Sequence, residues 1–145
     1  MPVTVKVRNL ADFGVPVYAR IGDAGCDGRA AIEKPVTLWP RDRKLIPLGI
    51  QVEIPEGYEI QLRPRSGLAL KHGVSLGNSI GTVDSGYRNE VGAILINHGT
   101  EPFTINPGDR ICQLVLNKFE TIQWEEADKL SDSERGQGGF GHSGI

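Results

Sequence analysis

Apolar and polar positions alternate with a period of two in three early stretches of the chain: Val3, Val5 and Val7; Ile50, Val52 and Ile54; and Tyr58, Ile60 and Leu62. Successive side chains of an extended strand point to opposite faces, so this spacing predicts strands with one buried face. Pro55-Glu56-Gly57 separates the last two sets and predicts the turn of a hairpin. Residues 91–96 (VGAILI) and 111–116 (ICQLVL) are apolar with little interruption, which predicts strands covered on both faces. Helical spacing is confined to residues 66–71, where Ser66 is placed to cap a single turn, and to residues 125–130.

Composition sharpens this picture. Nineteen glycines and nine prolines in 145 residues call for many tight turns, so the expected class is all-β, built from short strands. The length suits one domain with a real core. Its β body is expected over residues 1–134, with residues 135–145 (RGQGGFGHSGI) as a tail of the same domain. Five glycines in that tail bury too little apolar surface to order it alone, so it is expected to be flexible. A formal net charge of −2 lacks the basic field of a nucleic-acid binder, so no nucleic-acid partner is expected. The start, MPVTVKVRNL, has no apolar signal core and no later stretch is long enough to span a bilayer; a cytoplasmic location without membrane contact is the expectation. Cys26 and Cys112 are too few for a disulfide framework and are expected to be buried free thiols.

Four segments carry candidate chemistry. In PRSGLALKHG, Arg65-Ser66-Gly67 leads into a helical turn, where backbone N–H groups, a hydroxyl and a planar guanidinium suit an anion; an ordinary capped turn explains the segment equally well. Residues 77–92 (GNSIGTVDSGYRNEVG) predict a hairpin with Asp84 and Tyr87 at its tip, a carboxylate able to act as a base and a ring able to face a sugar. Taken singly, an aspartate there is more often a turn former. Gln113 is a polar exception inside an apolar strand and needs a partner, protein or ligand. In the tail, Arg135, Phe140 and Ser143 are interleaved among glycines that permit close backbone approach to a ligand.

AGCDGRA from Ala24, PRSGLA from Pro64, GNSIGTVDSGYRNEVG from Gly77, GDRICQLV from Gly108 and RGQGGFGHSG from Arg135 resemble, in order and spacing, the five motifs of trimeric dUTPases. The resemblance implies a jelly-roll-like β-barrel or sandwich with one short helix, a homotrimer whose active sites lie between subunits, and a tail that closes a site built by its neighbours. It implies hydrolysis of dUTP to dUMP and pyrophosphate, which limits uracil in DNA and supplies dUMP for dTMP synthesis. Asp84 would then activate the attacking water and Tyr87 would pack against the deoxyribose. Asn78 and main-chain groups near Val91 would read uracil. Arg65, Ser66, Gln113, Arg135 and Ser143 would hold the phosphates, Gly67 and Gly141 would also bind substrate, and Phe140 would lie over the base. Mg²⁺ would be the cofactor, with Asp27 as an outer-sphere ligand acting through water.

Three positions depart from the family pattern. Gly28 stands where leucine is usual and is expected to loosen the strand that carries Asp27; Asn89 replaces a glycine, as a residue that tolerates left-handed backbone; and His142 replaces a serine, which makes tail contact with phosphate sensitive to pH. Two rival functions differ in their consequences. A dCTP deaminase of the same fold would release ammonia from dCTP, whereas a regulatory nucleotide-binding trimer would use tail ordering as a signal.

Overall fold

A computed structural model describes residues 1–144. Eleven strands and one helix follow in the order β1 (Lys6–Asn9), β2 (Cys26–Arg29), β3 (Val36–Leu38), β4 (Arg43–Pro47), β5 (Ile50–Glu53), β6 (Tyr58–Arg63), α1 (Ser66–His72), β7 (Val74–Leu76), β8 (Gly81–Val83), β9 (Gly92–Asn97), β10 (Phe103–Ile105) and β11 (Arg110–Lys118). The strands pair antiparallel in four sheets, ordered β2-β11-β6-β8, β4-β9-β7, β1-β5 and β10-β3. Ile50, Val52, Ile60, Leu62, Leu95, Ile111 and Leu114 contribute to one apolar core between them. The arrangement is jelly-roll-like, as expected.

The period-two stretches of residues 50–54 and 58–62 bury Ile50, Val52, Ile54, Ile60 and Leu62. Val3 and Val5, however, precede β1, and Val7 within it is exposed. The turn at 55–58 exists, with Tyr58 N–H donating to the Pro55 carbonyl at 3.2 Å. It does not close a hairpin. β5 pairs with β1, and β6 pairs with β11 and β8, so the turn passes the chain from one sheet to another. β9 is covered fully on one face only: Ala93, Leu95 and Asn97 are buried, while Ile94 and Ile96 are half-exposed.

In β11, register shifts between Arg110 and Cys112, and the extra residue lets Ile111 and Cys112 both face the interior. The residue preceding α1 is Arg65 in extended conformation, and Ser66 is the first helical residue with no side-chain cap, so the expected serine cap is not made. Residues 125–130 are not helical. They are exposed throughout, and so short a segment without a packed face does not offset the cost of helix nucleation. Phe119 N–H donates to the Gly57 carbonyl, and beyond it residues 120–137 are exposed. No helix of the described residues is long and apolar enough to cross a membrane.

Candidate active site

Asp27 of β2, Gln113 of β11 and Arg63 of β6 lie directly opposite one another across three strands, so their side chains share one face of the sheet. All three are half-buried. Arg63 is fixed by the Gln61 side-chain oxygen at 2.7 and 3.1 Å. Arg65, two residues beyond Arg63, brings its Nε to 3.6 Å from Asp27 Oδ1 and donates through a terminal nitrogen to the Arg110 carbonyl at 2.9 Å. Arg110 reaches Asp27 Oδ2 at 3.8 Å. Asp27 Oδ1 is buried without a hydrogen bond among the described residues. The cluster therefore holds an excess of guanidinium around one carboxylate, beside the exposed Ser66 and Gly67. Arg110, half of this clamp, carries no signal in the sequence beyond its place in GDR.

Gly28, next to Asp27, is buried, but nothing is loose around it. A Cβ there would sit 2.7 Å from Cys112 Sγ, 3.0 Å from Leu114 Cδ1 and 3.2 Å from Leu48 Cδ1, so neighbouring side chains fill the space the expected leucine would need. Cys26 is half-buried and Cys112 is buried; both are free thiols. Burial pushes the Cys112 thiol up to about 12, with Asp27 adding to the effect.

Asn78, Asp84 and Tyr87 occupy the segment between β7 and β9. Tyr87 N–H donates to the Asp84 carbonyl at 3.1 Å, which forms the tip, and Arg88 braces it by donating to the Ser85 and Tyr87 carbonyls at 2.7 and 3.1 Å. The flanking strands do not pair with each other: β8 binds β6, and β9 binds β4 and β7. The segment is thus an open loop between two sheets, and the outer edge of β8 has no strand partner among the described residues. Asn78 flanks that edge, its side-chain nitrogen 3.5 Å from where a Gly81 Cβ would stand. Val91 is buried; its N–H donates to the Ile50 carbonyl and its carbonyl accepts from Leu48 N–H, both at 2.9 Å, so its own main chain is already engaged. Asn89 is not in the left-handed region, and its side-chain oxygen accepts from Glu90 N–H at 2.8 Å.

These two groups lie far apart within one chain. Ile60 faces Val83, so Asp84 falls one position beyond the ladder, level with Glu59 and four residues along β6 from Arg63. That is roughly 13 Å along the strands, and the three strand spacings from β8 to β2 add about 14 Å across them. In the tail, Arg135 Nε donates to the Gly138 carbonyl at 2.7 Å, and Phe140, Gly141 and Ser143 are exposed. Ile145 lies outside the described residues.

A family model described as dUTPase matches residues 11–144. The deoxyuridine 5'-triphosphate nucleotidohydrolase of Finegoldia magna is 50% identical over 141 residues, covering 97% of this chain and 99% of its own. The enzyme of the same name from Fusobacterium nucleatum subsp. nucleatum is 51% identical over 142 residues, covering 98% and 97%. Among solved structures, the dUTPase of Staphylococcus bacteriophage 80alpha with dUPNHPP superposes with a TM-score of 0.88 at 28% identity, covering 98% of this chain and 99% of that one. A mutant dUTPase from phage phi11 of S. aureus, whose structure describes coordination of a structural Mg(II) ion, superposes with a TM-score of 0.79 at 25% identity, covering 88% and 98%. The fold is that of the dUTPases among these solved structures, a β-domain of the jelly-roll-like class. The chain belongs to the dUTPase family.

Proposed function

We propose that the protein is a dUTP diphosphatase that hydrolyses dUTP to dUMP and pyrophosphate. The observation that carries the reading is the division of labour across the sheet: Arg65, Arg110, Gln113, Ser66 and Gly67 gather at one end, and an exposed carboxylate with an aromatic ring shares the turn at the other. The first group suits a triphosphate, because planar guanidinium forks match phosphate oxygens. The second suits the sugar and the water. Asp84 accepts the proton of a water whose oxygen bonds to the α-phosphorus while the bond to the bridging oxygen breaks and pyrophosphate leaves with that electron pair. Tyr87 packs on the deoxyribose and leaves no room for a 2′-hydroxyl. Asn78 and the outer edge of β8 read uracil, whose acceptor pattern cytosine does not reproduce.

A base must come within hydrogen-bond reach of the water it activates, and one chain holds its two groups too far apart for that. This supports a homotrimer in which the 84–87 loop of one subunit faces the phosphate cluster of another. The tail then closes the site: Arg135, Gly141 and Ser143 hold phosphates and Phe140 covers the base, excluding water and fixing the triphosphate.

Asp27 fits an outer-sphere role toward Mg²⁺, since its Oδ1 is buried without a hydrogen bond and the described residues offer no cluster of three or more metal-ligating side chains. Mg²⁺ bound by the triphosphate would neutralise its charge and fix its geometry. Arg65 and Arg110 hold the Asp27 carboxylate in place.

The test is pyrophosphate release from dUTP, dTTP, dCTP and UTP by the wild type and by Asp84→Asn. Strong preference for dUTP is expected, and in the variant kcat falls by roughly a hundredfold or more with nucleotide binding retained, as for loss of a general base. Comparable kcat/KM for dCTP, ammonia released from dCTP, or near-normal turnover by Asp84→Asn would sink the reading.

A further inference from the structure

Glu90 has no part in the roles assigned above, yet it is tied to the tip of the 84–87 loop on one side and to the turn at Gly49 on the other. Its backbone carbonyl accepts the Tyr87 hydroxyl at 2.8 Å. Its carboxylate Oε2 accepts Gly49 N–H at 3.0 Å in a half-buried setting. Gly49 gives that donor a fixed address. It holds a left-handed backbone at φ 73°, and a Cβ there would stand 2.6 Å from the Ala11 Cβ and 3.0 Å from the Ala31 Cβ. Its carbonyl in turn accepts Leu10 N–H at 2.8 Å. On either side, Leu48 N–H and the Ile50 carbonyl bind the main chain of Val91. The limb that follows Tyr87 is thereby fastened over residues 90–91 to the turn between β4 and β5, whereas no strand ladder joins it to β8.

We propose that Glu90 is a positioning residue that sets sugar selectivity: its carboxylate, fixed on Gly49, holds its own carbonyl where that carbonyl orients the Tyr87 ring. The proposal rests on the reading of Tyr87 as the face against deoxyribose. Without the carboxylate contact, the 90–91 peptide that carries this carbonyl is held only from its Val91 side, by the N–H on the Ile50 carbonyl, and the hydroxyl loses a firmly placed acceptor. A ring free to rock then makes room for a 2′-hydroxyl. A glutamine retains a carbonyl oxygen at the same reach and keeps the Gly49 contact.

The experiment measures kcat/KM for dUTP and UTP, with thermal stability alongside, in the full chain bearing Glu90→Ala, Glu90→Gln, Tyr87→Phe or Tyr87→Ala. In Glu90→Ala and in Tyr87→Phe the dUTP-over-UTP ratio should fall about five- to tenfold, the equivalent of one net hydrogen bond. The change should come mainly from improved use of UTP, and Glu90→Gln should retain the wild-type ratio. Tyr87→Ala gauges the reading beneath it. If Tyr87→Ala leaves the ratio intact, the role of Tyr87 itself fails. If Tyr87→Ala collapses the ratio while Glu90→Ala only lowers the melting temperature, the proposal for Glu90 fails alone. Should Glu90→Ala not fold, Tyr87→Phe decides: an unchanged ratio in that folded variant overturns the proposal.

Discussion

Gly28→Ala should destabilise the protein by about 1–3 kcal/mol, the range for forcing a methyl into a packed core. The added Cβ would stand 2.7 Å from Cys112 Sγ and 3.0 Å from Leu114 Cδ1, well inside van der Waals contact. Neither neighbour can retreat easily. Cys112 is fully buried and faces Gly28 across the β2–β11 ladder, so moving apart would strain the hydrogen bonds that also align Asp27 with Gln113. Cys112→Ala alone removes the sulfur and should cost about 1 kcal/mol, as for deletion of one buried methyl. Together the two changes should be milder than their sum, because the new methyl occupies the room the sulfur leaves; a coupling of about 1 kcal/mol or more is expected for residues in contact. Urea unfolding followed by tryptophan fluorescence, at one fixed protomer concentration, measures all four corners of the cycle. Additive effects within 0.5 kcal/mol, or a Gly28→Ala variant as stable as the wild type, would refute the claim that sulfur and glycine are fitted to each other.

The same sulfur predicts an alkaline limit. Burial raises the Cys112 thiol from 9.0 to about 12, so the unfolded chain loses a proton near pH 9 that the native state keeps; stability is full below that pH and declines from there to about 12. Urea unfolding across that range should show a shallower decline in Cys112→Ala, and an identical decline would rule the thiol out. Ending the chain at Glu134 should leave a folded protein that binds nucleotide but turns it over far more slowly, since the proposed closure would fix the triphosphate and exclude water. Full kcat in the truncated protein, or a Phe140→Trp reporter blind to a slowly hydrolysed dUTP analogue with Mg²⁺, would reduce the tail to an ordinary exposed terminus.

What the sequence determined by itself is local. Alternation fixed the buried faces of residues 50–54 and 58–62, because the side-chain period of an extended strand is a property of the backbone alone. Glycine and proline content announced an all-β chain, and the ordered motifs announced the family that residues 11–144 match. Partnership was decided elsewhere. Pro55-Glu56-Gly57 and the 84–87 tip are turns, as their residues dictate, but whether a turn closes a hairpin depends on which strands lie beside it, and both of these lead from one sheet to another. The helical spacing of residues 125–130 found no surface to pack on, whereas residues 66–72 form a helix closed by left-handed Gly73, with Leu68 against the core. Arg110 beside Asp27, and Glu90 beneath Tyr87, were invisible for the same reason. The contact between Gly49 and Glu90 spans 41 residues and that between Arg65 and Arg110 spans 45. Such contacts have no period or neighbouring residue to mark them, and they exist only because the sheet register brings distant segments to the same address.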